Sequence, residues 1–243
     1  MQRAIRLTLI STYYQLLTYL RIKEAVFYAL VFPVFLFVLF GSIWGAQSDD
    51  YVGFLLTGVI AMNALSQGLF AVGPIMREYY ANNVVKFMRN LPFNVLSHFT
   101  GLLLCRMLII SGTAILLVIA SALIFGFLPS FGSVLWYILG SILGLALSSF
   151  IGLLVGFWAN SGETVKALVN LLYFGMIFLS DCFYPITRWN TFFEQLSYAL
   201  PTTYLLQVLR QDVHWYTFPV LFLWIGGFAV LFYWVFNKSS IRR

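Results

Sequence analysis

Long apolar segments alternate with short polar ones along almost the whole chain. Six of these segments approach the roughly 20 residues that an α-helix needs to cross the hydrocarbon core of a bilayer. They predict spans at about 25–46, 52–74, 107–128, 133–158, 164–180 and 217–236. The apolar runs are unbroken, whereas a transmembrane β-barrel has an alternating pattern. The sequence therefore predicts an all-α polytopic membrane protein with one transmembrane domain over residues 1–243.

The N-terminal segment has a different pattern. Between residues 3 and 22, apolar side chains recur at spacings of three and four, which is typical of one face of a helix. These apolar residues are Ile5, Leu9, Tyr13, Leu16 and Leu20. We predict that residues 1–24 form an amphipathic helix that lies in the membrane interface with this face toward lipid.

A second unusual segment, residues 181–216, is rich in aromatic residues but is interrupted by Pro185 and Pro201. It is too broken for a span and too apolar for a free loop. Because proline suits the start of a helix, we predict two short helices at about 188–198 and 202–212 that re-enter the outer leaflet. Irregular backbone at membrane depth must be buried against protein. We therefore expect this segment to pack on the outer mouth of the helix bundle.

The fourth predicted span has a small residue at every fourth position. The stripe consists of Gly140, Gly144, Ser148, Gly152 and Gly156. In lipid, such a stripe lets another helix approach closely. The spacing predicts tight helix packing, either within the subunit or across a dimer. A glycine-lined pore is the functional alternative, although nothing in the sequence resembles a carbonyl selectivity filter.

The composition agrees with a membrane protein, since 61% of the residues are apolar and only 9% are charged. A typical soluble domain is about 25% charged. Of the 14 Lys and Arg residues, all but Arg188 and Arg210 fall on one side of the predicted spans. Because Lys and Arg concentrate in cytoplasmic loops, we predict that both termini are cytoplasmic.

The scattered acidic residues argue against several kinds of chemistry. None of the 8 Asp and Glu residues lies at the centre of a predicted span, where an ion-driven carrier usually keeps a carboxylate. The sequence also lacks the phosphate-binding pattern GxxxxGK followed by Ser or Thr, a GxSxG elbow, and a cluster at metal-ligand spacing. We expect no catalytic residue, no bound cofactor and no metal in this chain.

The loop after the second predicted span, REYYANNVVKFMRNLP at residues 77–92, is unusually long and charged. Its apolar residues fall on one helical face, and Pro92 ends the pattern. We predict a short amphipathic helix over residues 76–92. Two roles follow equally well from the residues alone: a helix lying in the lipid headgroups, or a docking element for a soluble partner.

Arg106 is the other charged residue in an unusual setting, because it lies within the apolar run GLLLCRMLII. An arginine can snorkel from such a position to the cytoplasmic boundary of the membrane. The alternative is a charge partner inside the protein, with Glu78 or Glu163 as the candidates.

Taken together, this layout resembles the permease subunits of type-2 ATP-binding-cassette exporters over essentially the whole chain. Two motifs carry the resemblance. The first is MREYYANNVVKFMRNLPFNVL, which is similar to the coupling helix of that family. The second is FLSDCFYPITRWNTFFEQLSYALPTTYLLQVLR, which is similar to its aromatic-Pro and Pro-Thr-Tyr…Leu-Arg signature. Many members have a further proline where this chain has Trp189-Asn190, which leaves the entry angle of the outer helix open.

The resemblance implies roles for particular residues. Those expected to contact the ATPase are Arg77, Glu78, Tyr79, Lys86, Phe87, Arg89 and Glu163. Those expected to line the substrate path are Asn63, Ser66, Gln67, Asn170, Tyr173 and Phe174. The expected outer gate is Phe183, Tyr184, Pro185, Pro201 and Tyr204. The structural alternatives are ordinary helix packing for the path residues and N-terminal helix capping for Glu163.

By the same resemblance, the chain is the membrane-spanning subunit of an exporter in the cell membrane. It would move an amphipathic, drug-like or lipid-linked substrate outward by alternating access. Its expected partners are two copies of a soluble ATPase, which binds ATP and Mg²⁺, a second identical or homologous permease, and membrane lipid, with no nucleic acid. The chain is then not an enzyme by itself. An ion-gradient-driven transporter, a membrane enzyme and a non-transporting scaffold are the alternatives.

Overall fold

The structure, a computed structural model, describes residues 2–45, 49–90, 95–185 and 191–238, and these ranges contain helices and loops but no strand. We number the helices α1 to α10. They are α1 Gln2–Arg21; α2, which comprises Lys23–Val26, Phe27–Val31 and Phe32–Trp44; α3, which comprises Asp49–Ser66, Gln67–Val72 and Gly73–Ala81; α4 Val84–Arg89; α5 Val95–Phe125; α6 Phe131–Trp158; α7 Gly162–Phe178; α8 Thr191–Tyr198; α9 Pro201–Arg210; and α10 Thr217–Lys238.

Five of these helices are long and apolar enough to cross a membrane. They are Lys23–Trp44, Tyr51–Ala81, Ser97–Phe125, Phe131–Trp158 and Thr217–Lys238. The predicted fifth span corresponds to α7, which has 17 residues. At about 1.5 Å per residue, α7 is slightly shorter than the roughly 30 Å hydrocarbon core. An all-helical membrane protein is therefore confirmed. Five candidate spans lie within the described residues, and the sixth, at α7, stays a prediction.

The boundaries of the predicted third span, 107–128, are wrong at both ends. The helix begins at Val95, because the apolar pattern continues through the residues before Arg106. It ends at Phe125, because Gly126 takes a left-handed conformation with φ of 68°. The backbone N–H of Phe127 then donates to the carbonyl of Ser121 at 3.1 Å, which folds the chain back over the last turn of the helix.

Helix α3 forms the centre of the bundle. Its apolar side chains are almost all buried, whereas α10 lies at the edge and is mostly exposed. Helices α2, α5, α6 and α9 surround α3. The principal core therefore consists of Leu and Val side chains from α3 and the residues that face them from these neighbours.

The small-residue stripe of α6 lies against helices of the same chain. A Cβ at Gly152 would lie 2.9 Å from the carbonyl oxygen of Gly68, and one at Gly73 would lie 2.2 Å from the carbonyl carbon of Gly152. Ser148 donates to the carbonyl of Ala64 at 3.3 Å. The backbones of α3 and α6 can approach this closely because the contact positions carry almost no side chain.

The half of the stripe that contains Gly140 and Gly144 packs against α9 in the same way. A Cβ at Gly140 would lie 2.4 Å from Leu209, and one at Gly144 would lie 2.9 Å from Leu205 and 3.0 Å from Ala64. Gly156, at the opposite end of α6, lies against the carbonyl of Gly73. Of the two packing modes that the stripe allowed, the structure contains the one within the subunit.

Two π-helical turns interrupt α2 and α3, at Phe27–Val31 and Gln67–Val72. Each directly precedes a proline turn, at Pro33 and Pro74 respectively. A proline inside a helix leaves the carbonyl four residues earlier without its usual donor. For Pro33 that carbonyl belongs to Ala29, and the hydroxyl of Thr113 donates to it at 3.0 Å.

The prediction of one continuous helix over residues 76–92 is wrong. Helix α3 runs on to Ala81, a turn follows, and α4 begins at Val84. Asn83 has φ of 57°, a left-handed conformation that asparagine tolerates better than most residues. Pro92 lies outside the described residues. The segment is therefore two short helical faces joined by a sharp turn.

Helix α1 packs on the start of α5 through its polar side. Ser11 lies 3.2 Å from the Nδ1 of His98, and Gln15 donates to the carbonyl of His98 at 3.1 Å. The predicted apolar face stays exposed on the outside, as at Leu9 and Tyr13. An apolar face that no protein covers is typical of a helix that contacts lipid.

Of the two predicted outer helices, α9 is well packed. It begins at the buried Pro201, and its apolar side contacts α3, α6 and α10. Helix α8 runs over Thr191–Tyr198, so the start predicted at residue 188 lies outside the described residues.

Candidate functional site

A cavity of about 960 Å³ lies between α2, α3 and α7. Tyr19 and Ile22 bound one end of the cavity, and Ser180, Phe183 and Tyr184 bound the opposite end. Its lining is mostly apolar, and its volume is at the upper end of the range typical of small-molecule sites. We call this cavity the groove. Several polar side chains converge on it.

Helix α3 supplies the polar side of the groove. Asn63, Ser66 and Gln67 all line it, since they follow one another at the three- and four-residue spacing of a helical face. The π-helical turn that begins at Gln67 lies beside the groove. Such turns occur frequently at functional sites.

Helix α7 supplies the opposite wall with Tyr173 and Phe174. The ring of Tyr173 lies 5.0 Å from that of Phe70 on α3, edge to face. Five of the six predicted path residues therefore line one cavity. Asn170 does not: it is exposed, and its amide donates to the carbonyl of Lys166 in its own helix at 2.9 Å.

Arg106 reaches the groove from α5, and sequence reasoning did not place it there. Its guanidinium donates to the Oε1 of Gln67 at 3.1 Å and lies 4.7 Å from the centre of the Tyr19 ring. Only 8% of the residue is exposed. Neither Glu78 nor Glu163 pairs with it, so both earlier candidates for a charge partner are wrong. The arginine does not snorkel to a boundary because α1 covers it.

The predicted outer gate divides into two groups. Phe183 and the exposed Tyr184 line the groove, and Tyr51 donates to the carbonyl of Phe183 at 2.9 Å. Pro201 and Tyr204 are buried in the packing of α9, and the hydroxyl of Tyr204 donates to the carbonyl of Tyr198 at 2.9 Å.

Half-buried Pro185 ends this described stretch of chain. The residues identified as a gate thus fall into a groove-facing pair, Phe183 and Tyr184, and a packing pair, Pro201 and Tyr204.

Arg210 joins residues 181–216 to α3. We call these residues, predicted to lie at the outer side of the bundle, the outer segment. Its guanidinium donates to the carbonyl of Asp181 and, through Nε, to the hydroxyl of Thr57 at 3.3 Å. It also lies 3.9 Å from the centre of the Phe54 ring. Cys182, which follows Asp181 in the chain, is fully buried, and burial raises the pKa of its thiol to about 11. Arg210 therefore holds together three parts of the chain that are far apart in sequence.

The loop between α3 and α4 forms a second surface, at the other end of α3. Rings anchor it on both sides: Tyr79 lies 5.8 Å from the ring of His98, and Tyr80 lies 5.3 Å from those of Phe157 and Phe236. Because these contacts fix the backbone, the side chains between them are presented in a defined arrangement.

The predicted ATPase contacts on this surface are mostly exposed. Glu78, Lys86 and Phe87 face outward, and Phe87 is 65% exposed. We call these three residues the exposed triplet. Arg89 ends α4, and its side chain lies outside what the structure describes.

Arg77 joins this surface to the start of α7, since its guanidinium donates to the carbonyl of Asn160 at 3.1 Å. Glu163 lies in the first turn of α7, but the cap is Ser161, whose hydroxyl accepts from the N–H of Thr164 at 3.1 Å. Glu163 is therefore exposed close to the α3–α4 loop and does not cap the helix.

The model of the ABC-2 type transporter matches residues 6–213. The chain belongs to the ABC-2 type transporter family. A search of curated proteins found no match. As an ABC-2 permease, the chain is a multi-pass membrane component of an ABC transporter, and the family implies an ABC ATPase subunit as its partner.

The lining of the groove includes parts of the chain that the sequence did not predict there. The second and fifth predicted spans were identified as groove-lining, but α1, α2 and Arg106 were not. The one available signal for Arg106 was its charge inside an apolar run. Within the described residues, no group of three or more His, Cys, Asp or Glu could hold a metal ion.

Proposed function

We propose that this ABC-2 permease is the membrane-spanning subunit of an ATP-driven exporter in the cell membrane. Two permease copies, identical or homologous, pair with two copies of a soluble ATPase that binds ATP and Mg²⁺. An amphipathic substrate moves outward by alternating access. One observation carries the proposal. Helix α3 contains the polar residues of the groove, and the same helix ends at the α3–α4 loop, where the exposed triplet lies.

The exposed triplet suits a docking surface better than a lipid contact. It combines an acid, a base and an uncovered aromatic ring on a backbone fixed by packed tyrosines. Large aromatic side chains that become buried in a pocket are the usual energetic centre of protein interfaces. An interfacial helix would instead present a continuous apolar face, whereas Asn83 breaks the helix here.

Helix α3 offers a direct route from this surface to the groove. A displacement of the α3–α4 loop moves the end of a continuous helix, and Arg77 transmits it to the start of α7. The groove is lined by these same two helices. The π-helical turn at Gln67–Val72 lies between the loop and Asn63, where a local change in helical pitch alters the groove's shape.

The outer face of α7 supports a path completed by a second permease. Leu171 is 70% exposed, and Phe174 and Phe178 are more than half exposed. We propose that α7 crosses the membrane as the sixth span and that its open face meets the second copy.

Glu78→Lys and Phe87→Asp test the docking role. Each places an unfavourable group in the proposed interface, so we expect at least a tenfold loss of ATPase co-purification, about the effect of an interface hot spot. Asp212→Lys and Phe192→Asp are the matched controls. Asp212 is an exposed acid at the other end of the molecule, and Phe192 has the same 65% exposure as Phe87.

The controls should leave co-purification and substrate-stimulated ATP hydrolysis unchanged. If Glu78→Lys and Phe87→Asp copurify with the ATPase as well as the native chain does, the docking role is refuted. Transport sustained by an ion gradient alone would favour a secondary carrier instead.

Cysteine labelling tests the proposed orientation, with both termini in the cytoplasm. The two native thiols, Cys105 and Cys182, are buried, so we expect a membrane-impermeant maleimide to leave the native chain unlabelled. In intact cells, Asp212→Cys should be labelled and Asn82→Cys should react only after permeabilisation. Both positions are exposed. The reverse pattern would contradict the orientation.

A further inference from the structure

Arg106 is a buried cation for which the described residues provide no anion. No carboxylate oxygen lies within 4.0 Å of it in the part of the chain that the structure covers. Its neighbours are the neutral amide of Gln67 and the ring of Tyr19. Its Nε–H, which is inaccessible to solvent, has no hydrogen-bond partner. Removing a charge from water without an opposite charge nearby is costly, so a charge of this kind within a membrane segment marks a candidate binding site.

A second unsatisfied atom lies on the same wall of the groove. The Oδ1 of Asn63 has no hydrogen-bond partner, and only 2% of the residue is exposed. Asn63 precedes Gln67 by four residues on α3, which is about 6 Å along a helix. Arg106 and Asn63 both line the groove, and each has a buried polar atom without a partner, a donor on the cation and an acceptor on the amide.

The rest of the groove suits hydrocarbon. Its lining is dominated by aromatic and aliphatic side chains from α2 and α7, and several of them, including Tyr28, Phe174 and Phe178, are also exposed on the outer surface. The groove therefore opens toward the surroundings of the helices, which for spanning helices are lipid. An occupant can keep an apolar chain there while its polar end reaches Arg106.

We propose that the groove binds a lipid whose phosphate headgroup carries hydroxyl groups. The phosphate accepts from the guanidinium of Arg106, and a hydroxyl of the headgroup donates to the amide oxygen of Asn63. Both side chains line the groove, but their unpaired atoms are inaccessible to solvent, so binding requires the two side chains to turn toward the lipid. Arginine is well suited to phosphate because its planar guanidinium presents several donors. The proposal rests on the proposed function in one respect, namely that the groove lies in a membrane.

The test measures lipid binding to the purified full-length permease in detergent by native mass spectrometry. Phosphatidylglycerol carries a phosphate and two hydroxyls, phosphatidylcholine carries a neutralising ammonium, and phosphatidic acid lacks the hydroxyls. We expect phosphatidylglycerol to bind best. Arg106→Gln should weaken its binding about tenfold, and Arg106→Lys less, because a lysine keeps the charge but lacks the planar donors.

The control is Arg21→Gln, which removes an exposed arginine from the end of α1 and should leave binding unchanged. Asn63→Leu should remove the preference for phosphatidylglycerol over phosphatidic acid while it retains the preference over phosphatidylcholine. Inorganic phosphate at millimolar concentration should not compete, since the free ion has no tail.

Equal binding of phosphatidylglycerol and phosphatidylcholine by the native chain would overturn the proposal, as would unchanged binding by a folded Arg106→Gln variant. Competition by inorganic phosphate would overturn the lipid assignment. If Arg106→Gln does not fold, the lipid preference of the native chain and the loss of the preference over phosphatidic acid in Asn63→Leu still test the proposal. Because the permease is measured alone, failure here leaves the ATPase docking role intact, and failure of docking leaves this site intact.

Discussion

Gly68→Ala should lower the free energy of unfolding by about 2–3 kcal/mol, because a Cβ there has no room. It would lie 2.0 Å from the Oγ of Ser148 and 2.5 Å from the backbone nitrogen of Ser149. A backbone atom cannot rotate away, so α3 and α6 must separate along their whole crossing. The measurement is reversible unfolding of the purified chain in mixed micelles of increasing SDS fraction.

The matched control for this variant is Gly112→Ala in α5, where nothing lies within 4 Å of an added Cβ. Alanine favours a helix interior over glycine by about 1 kcal/mol, so this variant should be slightly more stable than the native chain. Replacing glycine with alanine is thus expected to lower the free energy of unfolding at one helical position and to raise it at the other. If Gly68→Ala were as stable as Gly112→Ala, the close crossing of α3 and α6 would be contradicted.

Arg210→Ala should detach the outer segment from α3. The substitution removes the hydrogen bonds to Thr57 and to the carbonyl of Asp181, together with the contact with Phe54. Hydrogen bonds to a charged group are worth about 1.5–3 kcal/mol and a cation–π contact about 1 kcal/mol, so we expect a loss of about 3 kcal/mol or more.

The thiol of Cys182 reports this detachment directly. In the native chain it is buried and its pKa is raised to about 11, so at pH 7.5 almost none of it is the reactive thiolate. Release of the segment restores contact with water and lowers the pKa toward the ordinary thiol value. We therefore expect maleimide labelling of Cys182 to increase at least tenfold in Arg210→Ala, with buried Cys105 as the internal reference.

Two further variants separate charge from geometry at this site. Arg210→Lys keeps the positive charge but cannot reach Thr57 and Asp181 with one planar group, so its labelling should be intermediate. Thr57→Val removes the hydrogen bond from Arg210 and the one that the Thr57 hydroxyl donates to the carbonyl of Phe54, and it should cost only about 1–2 kcal/mol. If Cys182 stays unlabelled in Arg210→Ala, the arginine does not hold the outer segment in place.

Much of the fold followed from one-dimensional patterns. A continuous apolar run is buried or faces lipid on all sides of its helix, so its length alone indicated α2, α3, α6 and α10. The small-residue period of α6 indicated a close helix contact for the same reason, since only a bare backbone permits one. The period could not predict which helix packs against the stripe. Helices α3 and α9 do so because the tertiary fold brings them there.

The groove was predicted only in part, and the reason is geometric. Asn63, Ser66 and Gln67 share a face of one helix, which spacing alone predicts. Nothing local relates Tyr19 or Arg106 to that face, because the guanidinium reaches Gln67 across 39 positions of sequence. The break at Asn83 was missed for a different reason, since asparagine is compatible with a helix as well as with a left-handed turn.

By itself, the sequence determined that the chain is a helical membrane protein, where most of its spans lie, and which loop carries charge between two of them. Those properties depend on the hydrophobicity and spacing of neighbouring residues. The tertiary structure decided which glycines meet which backbones, that α1 covers Arg106, and that Arg210 holds the outer segment. Those contacts depend on how helices distant in sequence pack. The energy of a buried charge likewise depends on the groups that surround it, which only the packed structure defines.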